Sequence, residues 1–265
     1  MIKLIASDID GTLLVEGSDA LNPEIFQVIR GLKEKDVIFA AASGRQYASI
    51  RHLFDPVAND MIFIADNGSN IICRGYEMHA SLMEREVLCE LVEEVRGMAD
   101  CYLVLSSRQG ESYLESYTEE LMELLVNGYH NKVNLVEDLL KEPVEYIKCS
   151  IYKKENIRQL AHGLIEKYRD RLNVAVAGEI WLDFMDRDAD KGNAIRTIQK
   201  SLRIRPEETM VFGDNMNDIG MMRAAGESYA VANAQQAVKE AAKHIAQANI
   251  HDGVLKVMKK VLDEQ

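Results

Sequence analysis

The chain has 265 residues, 47% of them hydrophobic and 28% charged, with a formal net charge of −12. That composition fits a folded, soluble protein rather than a disordered one, and the length leaves room for a core domain carrying a smaller insertion. The acidic balance argues against nucleic-acid or acidic-membrane partners, which need a basic footprint, so any anionic ligand has to be held locally by a metal, a few cations and backbone N–H groups.

Lys3 to Ser7 reads as a buried strand, followed by Asn22-Pro23-Glu24, which supplies a helix N-cap, a proline at the first helical position and an acidic first turn. The helix that follows places Ile25, Val28, Ile29 and Leu32 on one face. Val37 to Ala42 is a second apolar strand ending at Ser43, and Met61 to Ala65 a third ending at Asp66-Asn67-Gly68. Strands alternating with helices in this way signal parallel βαβ units in an open α/β sheet.

From about residue 82 the rhythm changes. A long amphipathic helix carrying Val87, Leu88, Leu91, Val92 and Val95 leads into strand candidates at Tyr102 to Ser106 and Ser112 to Leu114. Glu145 to Tyr152, a helix over Asn156 to Tyr168, and the pair Leu172 to Ala177 and Ile180 to Phe184 complete a separate α+β unit over 82–185. The α/β rhythm then resumes with a helix from about Gly192 bearing Ala194, Ile195, Ile198 and Leu202. The strand Thr209 to Phe212 follows, then a helix ending near Ala225-Gly226, the strand Tyr229 to Val231, and two further helices with Ile245 between them. The α/β part is therefore split into 1–81 and 186–265.

The four cysteines, Cys73, Cys89, Cys101 and Cys149, have no C-x-x-C spacing and no nearby paired histidines, and read as buried free thiols in a reducing cytoplasm. The apolar run Ile2 to Ala6 contains Lys3 and is cut short by Asp8, too brief for the core of a signal peptide. No later stretch approaches the roughly 20 apolar residues that span a bilayer, so the expectation is a cytoplasmic protein with no membrane partner.

Four short motifs carry the chemistry: Asp8-Ile9-Asp10-Gly11-Thr12-Leu13, Ser43-Gly44-Arg45, Lys191-Gly192 and Gly213-Asp214-Asn215-Met216-Asn217-Asp218. Each follows a strand or opens a helix, and in an open α/β sheet such positions converge on one crevice at the strand ends. Asp8 and Asp10, two apart in extended chain, reach the same side, and their proximity raises the pKa of one of them. Gly11 permits a tight turn that aims backbone N–H groups at a phosphate oxygen. An Asp-x-Asp also occurs in Ca²⁺ loops and surface turns. Asp214, Asn217 and Asp218 offer oxygen ligands suited to Mg²⁺, or a helix cap. Lys191 opens a helix, where a cation opposes the macrodipole, so a carboxylate or phosphate beside it would account for its position, as would exposure to solvent. Ser43 could donate to a phosphate oxygen or cap the next helix, and Arg45 could meet a leaving group or a structural carboxylate.

The joint occurrence of these motifs in this order resembles the haloacid dehalogenase (HAD) superfamily of phosphotransferases. The span of about 100 residues between Asn67-Gly68 and Lys191 is similar to the inserted unit of its Cof-type branch of sugar-phosphate phosphatases. The resemblance covers nearly the whole chain and implies a Rossmann-like, doubly wound parallel sheet core with an inserted α+β cap over 82–185. It also implies that Asp8 attacks phosphorus to form an aspartyl-phosphate, while Asp10 protonates the leaving oxygen and later activates water. Mg²⁺ would be held by the Asp8 carboxylate, the Asp10 carbonyl and Asp214, with Asp218 and Asn217 orienting Lys191 or the metal's water ligands. Ser43 and Lys191 would hold the phosphoryl group, and Gly11, Gly44, Arg45 and Asn217 would line the substrate. One departure is Asn67-Gly68-Ser69, where the branch commonly shows Asn-Gly-Ala, a difference that touches packing at the edge of the site.

Only ten residues separate Thr12 from Pro23, too few for a cap at that point, so specificity falls to the later insertion. There Trp181, Tyr113, Tyr117 and His130 could line a pocket or simply pack. The expected partner is a small phosphorylated metabolite, a sugar phosphate being the best single guess, with the protein a monomer or weak homodimer. The core motifs alone do not separate a hydrolase from a phosphomutase or phosphotransferase. A non-catalytic phospho-metabolite-binding regulator would have no need of both Asp8 and Asp10.

Overall fold

The protein was analysed as a computed structural model, which describes residues 1–15, 18 and 20–264. Part of the Thr12–Pro23 connection, read above as too short for an insertion, lies outside the described residues. In chain order the first elements are β1 (Leu4–Asp8), α1 (Glu24–Glu34), β2 (Ile38–Ala42), α2 (Tyr47–Leu53), β3 (Met61–Ala65), β4 (Asn70–Cys73) and β5 (Tyr76–Ala80). Next come α3 (Arg85–Arg96), β6 (Tyr102–Ser107), β7 (Ser112–Leu114), α4 (Glu119–Glu123), β8 (Val133–Leu135), β9 (Tyr146–Tyr152), α5 (Ile157–Tyr168), β10 (Leu172–Ala177) and β11 (Trp181–Asp186). The chain closes with α6 (Lys191–Leu202), β12 (Thr209–Gly213), α7 (Ile219–Ala224), β13 (Glu227–Val231), α8 (Gln236–Ala241), β14 (His244–Ala246) and α9 (Gly253–Glu264). They fall into two compact units, one of Met1–Ser43, Ile50–His79 and Asp190–Gln265, the other of Gly44–Ser49 and Ala80–Ala189.

The first unit is built on an eight-stranded sheet in the order β14-β13-β12-β1-β2-β3-β4-β5. Every residue of β1 is buried, as a central parallel strand covered on both faces requires. It pairs in parallel with β2, from Leu4 opposite Ile38 to Asp8 opposite Ala42, and with β12, from Leu4 opposite Thr209 to Ser7 opposite Phe212. The chain order reverses between β1 and β12, and in such sheets the crevice beyond the strand ends at the reversal is where ligands bind. Just ahead of α1, whose N-cap position is Pro23, Asn22 Oδ1 accepts from the Glu24 N–H at 3.1 Å, and Ile25, Val28, Ile29 and Leu32 are the helix's buried face.

Several elements depart from the pattern legible in the sequence. β4 runs antiparallel to β3, and β5 extends the edge after a tight turn in which Arg74 and Gly75 both have positive φ, 52° and 79°. This is the backbone of a two-residue hairpin, made here by Arg-Gly in place of the more recognisable Asn-Gly. Leu202 was expected on the buried face of α6 but is 39% exposed, because the helix ends there and Arg203 turns left-handed at φ 56°. Ile245 lies in the short edge strand β14 and is itself exposed.

The second unit is a six-stranded sheet in the order β10-β11-β9-β6-β7-β8, antiparallel apart from the β7–β8 pair. Alternate residues on one face, among them Leu103, Leu105, Cys149, Ile151, Leu182 and Phe184, form one apolar core with α3 and α5. Val104, Leu114 and Tyr152 on the other face join Leu121 and Leu125 in a smaller cluster. α4 and β8 have no counterpart among the sequence expectations: α4 passes at Leu124 into a π-helical turn over Leu124–Gly128, which breaks the helical period, and the three residues of β8 carry no strong alternation. Among the described residues no helix is long and apolar enough to cross a membrane. The four cysteines are free, but only Cys149 is buried and the other three are half-buried.

Leu91 is fully buried at the centre of the larger core of the second unit. Leu91→Ala is expected to destabilise that unit by about 2–5 kcal/mol, the usual cost of such a cavity, measured as a lower midpoint in urea unfolding.

Candidate active site

The carboxyl ends of β1 and β12 and the first turn of α6 converge. Lys191 Nζ donates to Asp8 Oδ1 at 2.6 Å and to Asp218 Oδ1 at 2.7 Å, and its side chain has no exposure at all. The sequence left open whether a lysine at this helix start faces solvent or an anion; it faces two carboxylates. Asp190 caps α6, its Oδ1 accepting from the N–H groups of Gly192 and Asn193 at 2.6 and 3.0 Å, which offsets the macrodipole beside the cation.

Asp218 is fully buried, and its second oxygen, Oδ2, accepts from the N–H groups of Asp214 and Asn215 at 2.9 and 3.0 Å. It therefore shapes the turn after β12 while holding Lys191. Asp214 is half-buried and accepts from Thr12 Oγ1 at 2.6 Å. The backbone at Gly11 has φ +85°, and a Cβ there would stand 2.6 Å from Asp214 Oδ2, so only glycine allows this approach. Asn233 Nδ2 donates to the Gly11 carbonyl at 2.7 Å, and the Gln235 N–H donates to the Asp214 carbonyl at 2.9 Å, tying both turns to the loop after β13.

One carboxylate oxygen in each of Asp8, Asp214 and Asp218 lies within 4.8 Å of the others. Asp8 Oδ2 is buried with no hydrogen-bond partner. Burial pushes the Asp8 carboxyl well up, Lys191 pulls it down, and Asp218 and Asp214 raise it again. Burial likewise raises Asp214, against the hydrogen bond from Thr12. For Lys191 burial favours the neutral amine, but the charges of Asp218 and Asp8 outweigh it and keep the group an ammonium. Three carboxylates stand against one ammonium, and hard oxygen donors around an unpartnered buried oxygen are what Mg²⁺ takes, so the residues fit that ion.

Of the other residues singled out in the sequence, Asp10 is exposed in the turn after β1, bridged to Leu14. Ser43 is buried at the end of β2, its N–H bonded to the Ile64 carbonyl and its carbonyl to the Asn67 N–H, each at 2.9 Å. Asn67, left-handed at φ 55°, accepts from Asn217 Nδ2 at 3.0 Å, so Asn217 is tied to the end of β3. Gly68 has φ +101°, and a Cβ there would lie 2.5 Å from the Asp190 carbonyl, so glycine lets this turn meet the start of α6. Ser69, the departure from the family pattern, is fully buried, its hydroxyl without a partner among the described residues. Gly44 and Arg45 are half-buried and belong to the second unit. Thr12, Asn67, Asp190 and Asn233 were given no role in the sequence. Thr12 and Asn67 stood inside quoted motifs, whereas Asp190 and Asn233 were visible only as a polar residue before a helix and one after a strand.

The aromatic and histidine candidates of the insertion do not form one group. Tyr113 packs edge-on against Tyr146 in the larger core, while Trp181 joins Tyr129 and Tyr152 in the smaller one. Tyr117 is 47% exposed.

A doubly wound sheet with an aspartate-lysine centre at its reversal and an α+β insertion after β5 defines an α/β enzyme that works on phosphate. The family model for haloacid dehalogenase-like hydrolases matches residues 5–258, and the chain belongs to that family. It is a phosphoric monoester hydrolase of the Cof-type branch. The chain is 29% identical, over its whole length and 97% of the relative's, to 5-amino-6-(5-phospho-D-ribitylamino)uracil phosphatase YbjI of Escherichia coli. It is 26% identical to the enzyme of the same name, YcsE, from Bacillus subtilis, over 97% of this chain and 95% of that one. A crystal structure from Eubacterium rectale superposes with a TM-score of 0.89 at 31% identity, covering 98% of this chain and 99% of that one.

Lys191→Met removes the ammonium that bonds to both Asp8 and Asp218. Breaking a buried pair of this kind is expected to cost about 3–5 kcal/mol in chemical denaturation at neutral pH. The Asp8 carboxyl, already raised in the folded chain, would rise further in this variant. Its neutral form is then favoured as pH falls, so the loss is smaller at acid pH than at pH 8.

Proposed function

We propose that the protein is a Mg²⁺-dependent phosphatase of small phosphorylated metabolites, acting through an aspartyl-phosphate on Asp8. The observation that carries this reading is the divided state of the Asp8 carboxylate. Oδ1 is held by Lys191 while Oδ2 is buried with no donor. A carboxylate fixed by one oxygen and open at the other is oriented for attack.

In the first half-reaction an Asp8 oxygen bonds to phosphorus as the ester P–O bond breaks, and Asp10, whose exposed position gives it access to a leaving group, donates its proton to the departing oxygen. In the second, Asp10 takes a proton from water, the water oxygen bonds to phosphorus, and the Asp8 carboxylate is released with inorganic phosphate. Lys191 and the Ser43 hydroxyl hold the phosphoryl oxygens, and Asp218 fixes Lys191. Mg²⁺, when bound, would be held by Asp8, Asp214 and the Asp10 carbonyl and would screen the nucleophile from the phosphate dianion. Both oxygens of Asp218 already accept N–H bonds, so we assign it to positioning rather than to the metal. The unit comprising Gly44–Ser49 and Ala80–Ala189 acts as the cap that selects the leaving group, so Gly44 and Arg45 belong to it although they are distant in sequence from the insertion.

The substrate class we favour is a sugar or sugar-alcohol monophosphate. Two relatives are named for a phosphoribityl compound, and the net charge of −12 leaves no basic footprint for nucleic acid or phosphoprotein.

Asp8→Asn should retain the fold and lose the reaction, because the amide keeps the shape without the nucleophile. Activity below about a hundredth of wild type is expected, and a soluble variant above that level would contradict covalent catalysis. Activity should vanish in excess chelator and return with Mg²⁺. Asp214→Ala should raise the Mg²⁺ concentration needed for half-activity sharply, while Asp55→Ala, at an exposed position, leaves it unchanged. In a panel of phosphorylated compounds, pentose, hexose and alditol monophosphates and a small aryl phosphate should be hydrolysed, with phosphopeptides and DNA ends left intact. Phosphopeptides outranking every sugar phosphate would refute the substrate class.

A further inference from the structure

Ser43 is the last residue of the first unit before the chain passes into the second, since Gly44–Ser49 packs with the inserted sheet. What fixes that segment is a buried polar cluster. Gln46 is 6% exposed, and its amide Nε2 donates to Ser106 Oγ on β6 and to Ser112 Oγ on β7, each at 2.8 Å. Ser112 Oγ donates back to Gln46 Oε1 at 3.2 Å and accepts from Asn131 Nδ2 at 3.4 Å. The hydroxyl thus uses its one donor and both lone pairs, and the amide uses both of its N–H groups. Bonds shared in this way favour one geometry around Gln46 and Ser112, while Asn131 Oδ1 at the edge of the cluster is buried without a partner among the described residues. Two residues upstream of Gln46, the Gly44 carbonyl accepts from Lys148 Nζ on β9 at 2.9 Å, and Lys148 is itself 5% exposed and 3.7 Å from Asp183.

Ser106, Ser112, Lys148, Ser150 and Asp183 lie on the sheet face opposite the larger apolar core, where burial would ordinarily select apolar side chains. Ser150 Oγ donates to Asp183 Oδ1 at 2.7 Å, so this part of the face is polar and paired throughout. Such a face needs something polar to cover it, and the backbone of 44–49 supplies part of that cover.

We propose that Gln46 is a positioning residue of the phosphatase. With Ser106, Ser112 and Lys148 it anchors the segment directly after Ser43 to the inserted sheet, so that the insertion sets the phosphate-holding serine as well as the leaving-group specificity. The proposal rests on the reading of Ser43 as a phosphoryl-holding group. A residue acting on the phosphate end alters every substrate alike and alters the binding of inorganic phosphate. A residue that merely selects leaving groups does neither.

The test is inhibition by inorganic phosphate together with kcat and KM on an aryl phosphate and a hexose monophosphate. Gln46→Met keeps the volume and removes the amide. It is expected to raise the inhibition constant for phosphate about tenfold, the scale of one or two lost buried hydrogen bonds, and to lower kcat/KM by a similar factor on both substrates. Ser106→Ala/Ser112→Ala removes the partners instead, should reproduce that effect, and serves as the test if Gln46→Met does not fold. Combining the two sets should add little, because they cut the same bonds. An unchanged inhibition constant in either variant, or a loss confined to the hexose phosphate, overturns the proposal. Ser43→Ala separates the two readings. If it raises the phosphate inhibition constant while the Gln46 and serine variants do not, only the positioning role falls. If it has no effect, the assignment of Ser43 fails and the inference falls with it.

Discussion

The structure depends on a lysine ammonium that has left water entirely. Lys191 has no exposed side-chain surface, and an unpaired cation in such a place would deprotonate or unfold the site. Asp8 and Asp218 keep it charged, each from a different strand end, so a single side chain fastens β1, the turn after β12 and the start of α6. The balance is incomplete in one direction only: the carboxyl groups outnumber the ammonium, and one oxygen from each of Asp8, Asp214 and Asp218 lies within 4.8 Å of the others. This surplus of acidic groups over cations suits the site to a divalent cation and a phosphate together.

Much of this was legible in the sequence because the relevant groups sit next to strong punctuation. Asp8 ends an apolar run, Asp214 follows another, and Gly11 marks a turn that only glycine permits, here because Asp214 stands where a Cβ would be. The helices with clear period, such as α1 with Ile25, Val28, Ile29 and Leu32, have the buried face their spacing predicts. What escaped was short or cooperative. The β4–β5 hairpin turns on Arg74-Gly75, a weaker signal than Asn-Gly, the helical period of α4 is broken by the π-helical turn that follows it, and β8 is only three residues long. Leu202 fits the period of α6 yet is exposed, since spacing does not show where a helix stops contacting its neighbours. The Asn233–Gly11 and Asn67–Asn217 bonds join residues distant in sequence, and Asp190 is a local cap that nothing in the sequence distinguishes from an ordinary one.

The inserted sheet shows how one strand pattern can serve two purposes. On β9, Cys149 and Ile151 face an apolar core, while the alternate residues Lys148 and Ser150 are polar and also buried. Farther along that second face the side chains turn apolar and aromatic, with Tyr152 against Trp181 and Trp181 Nε1 donating to Tyr129 at 3.3 Å. One end of the face is thus closed by ordinary packing. The other is kept polar at a cost in desolvation that hydrogen bonds must offset, a pattern more usual in binding faces than in cores.

The division of the chain at Ser43 bears on how such enzymes can be recombined. Hydrolases of this architecture invite the exchange of one insertion for another, and the natural junctions look like the two ends of the insertion, near Ala80 and Ala189. A graft cut only there would bring a new sheet to an old Gly44–Ser49 segment, with Gln46 facing whatever the donor has in place of Ser106 and Ser112. The transplantable module is therefore discontinuous: six residues from within the recipient's core sequence travel with the insertion, and a chimera that leaves them behind inherits a mismatched buried network.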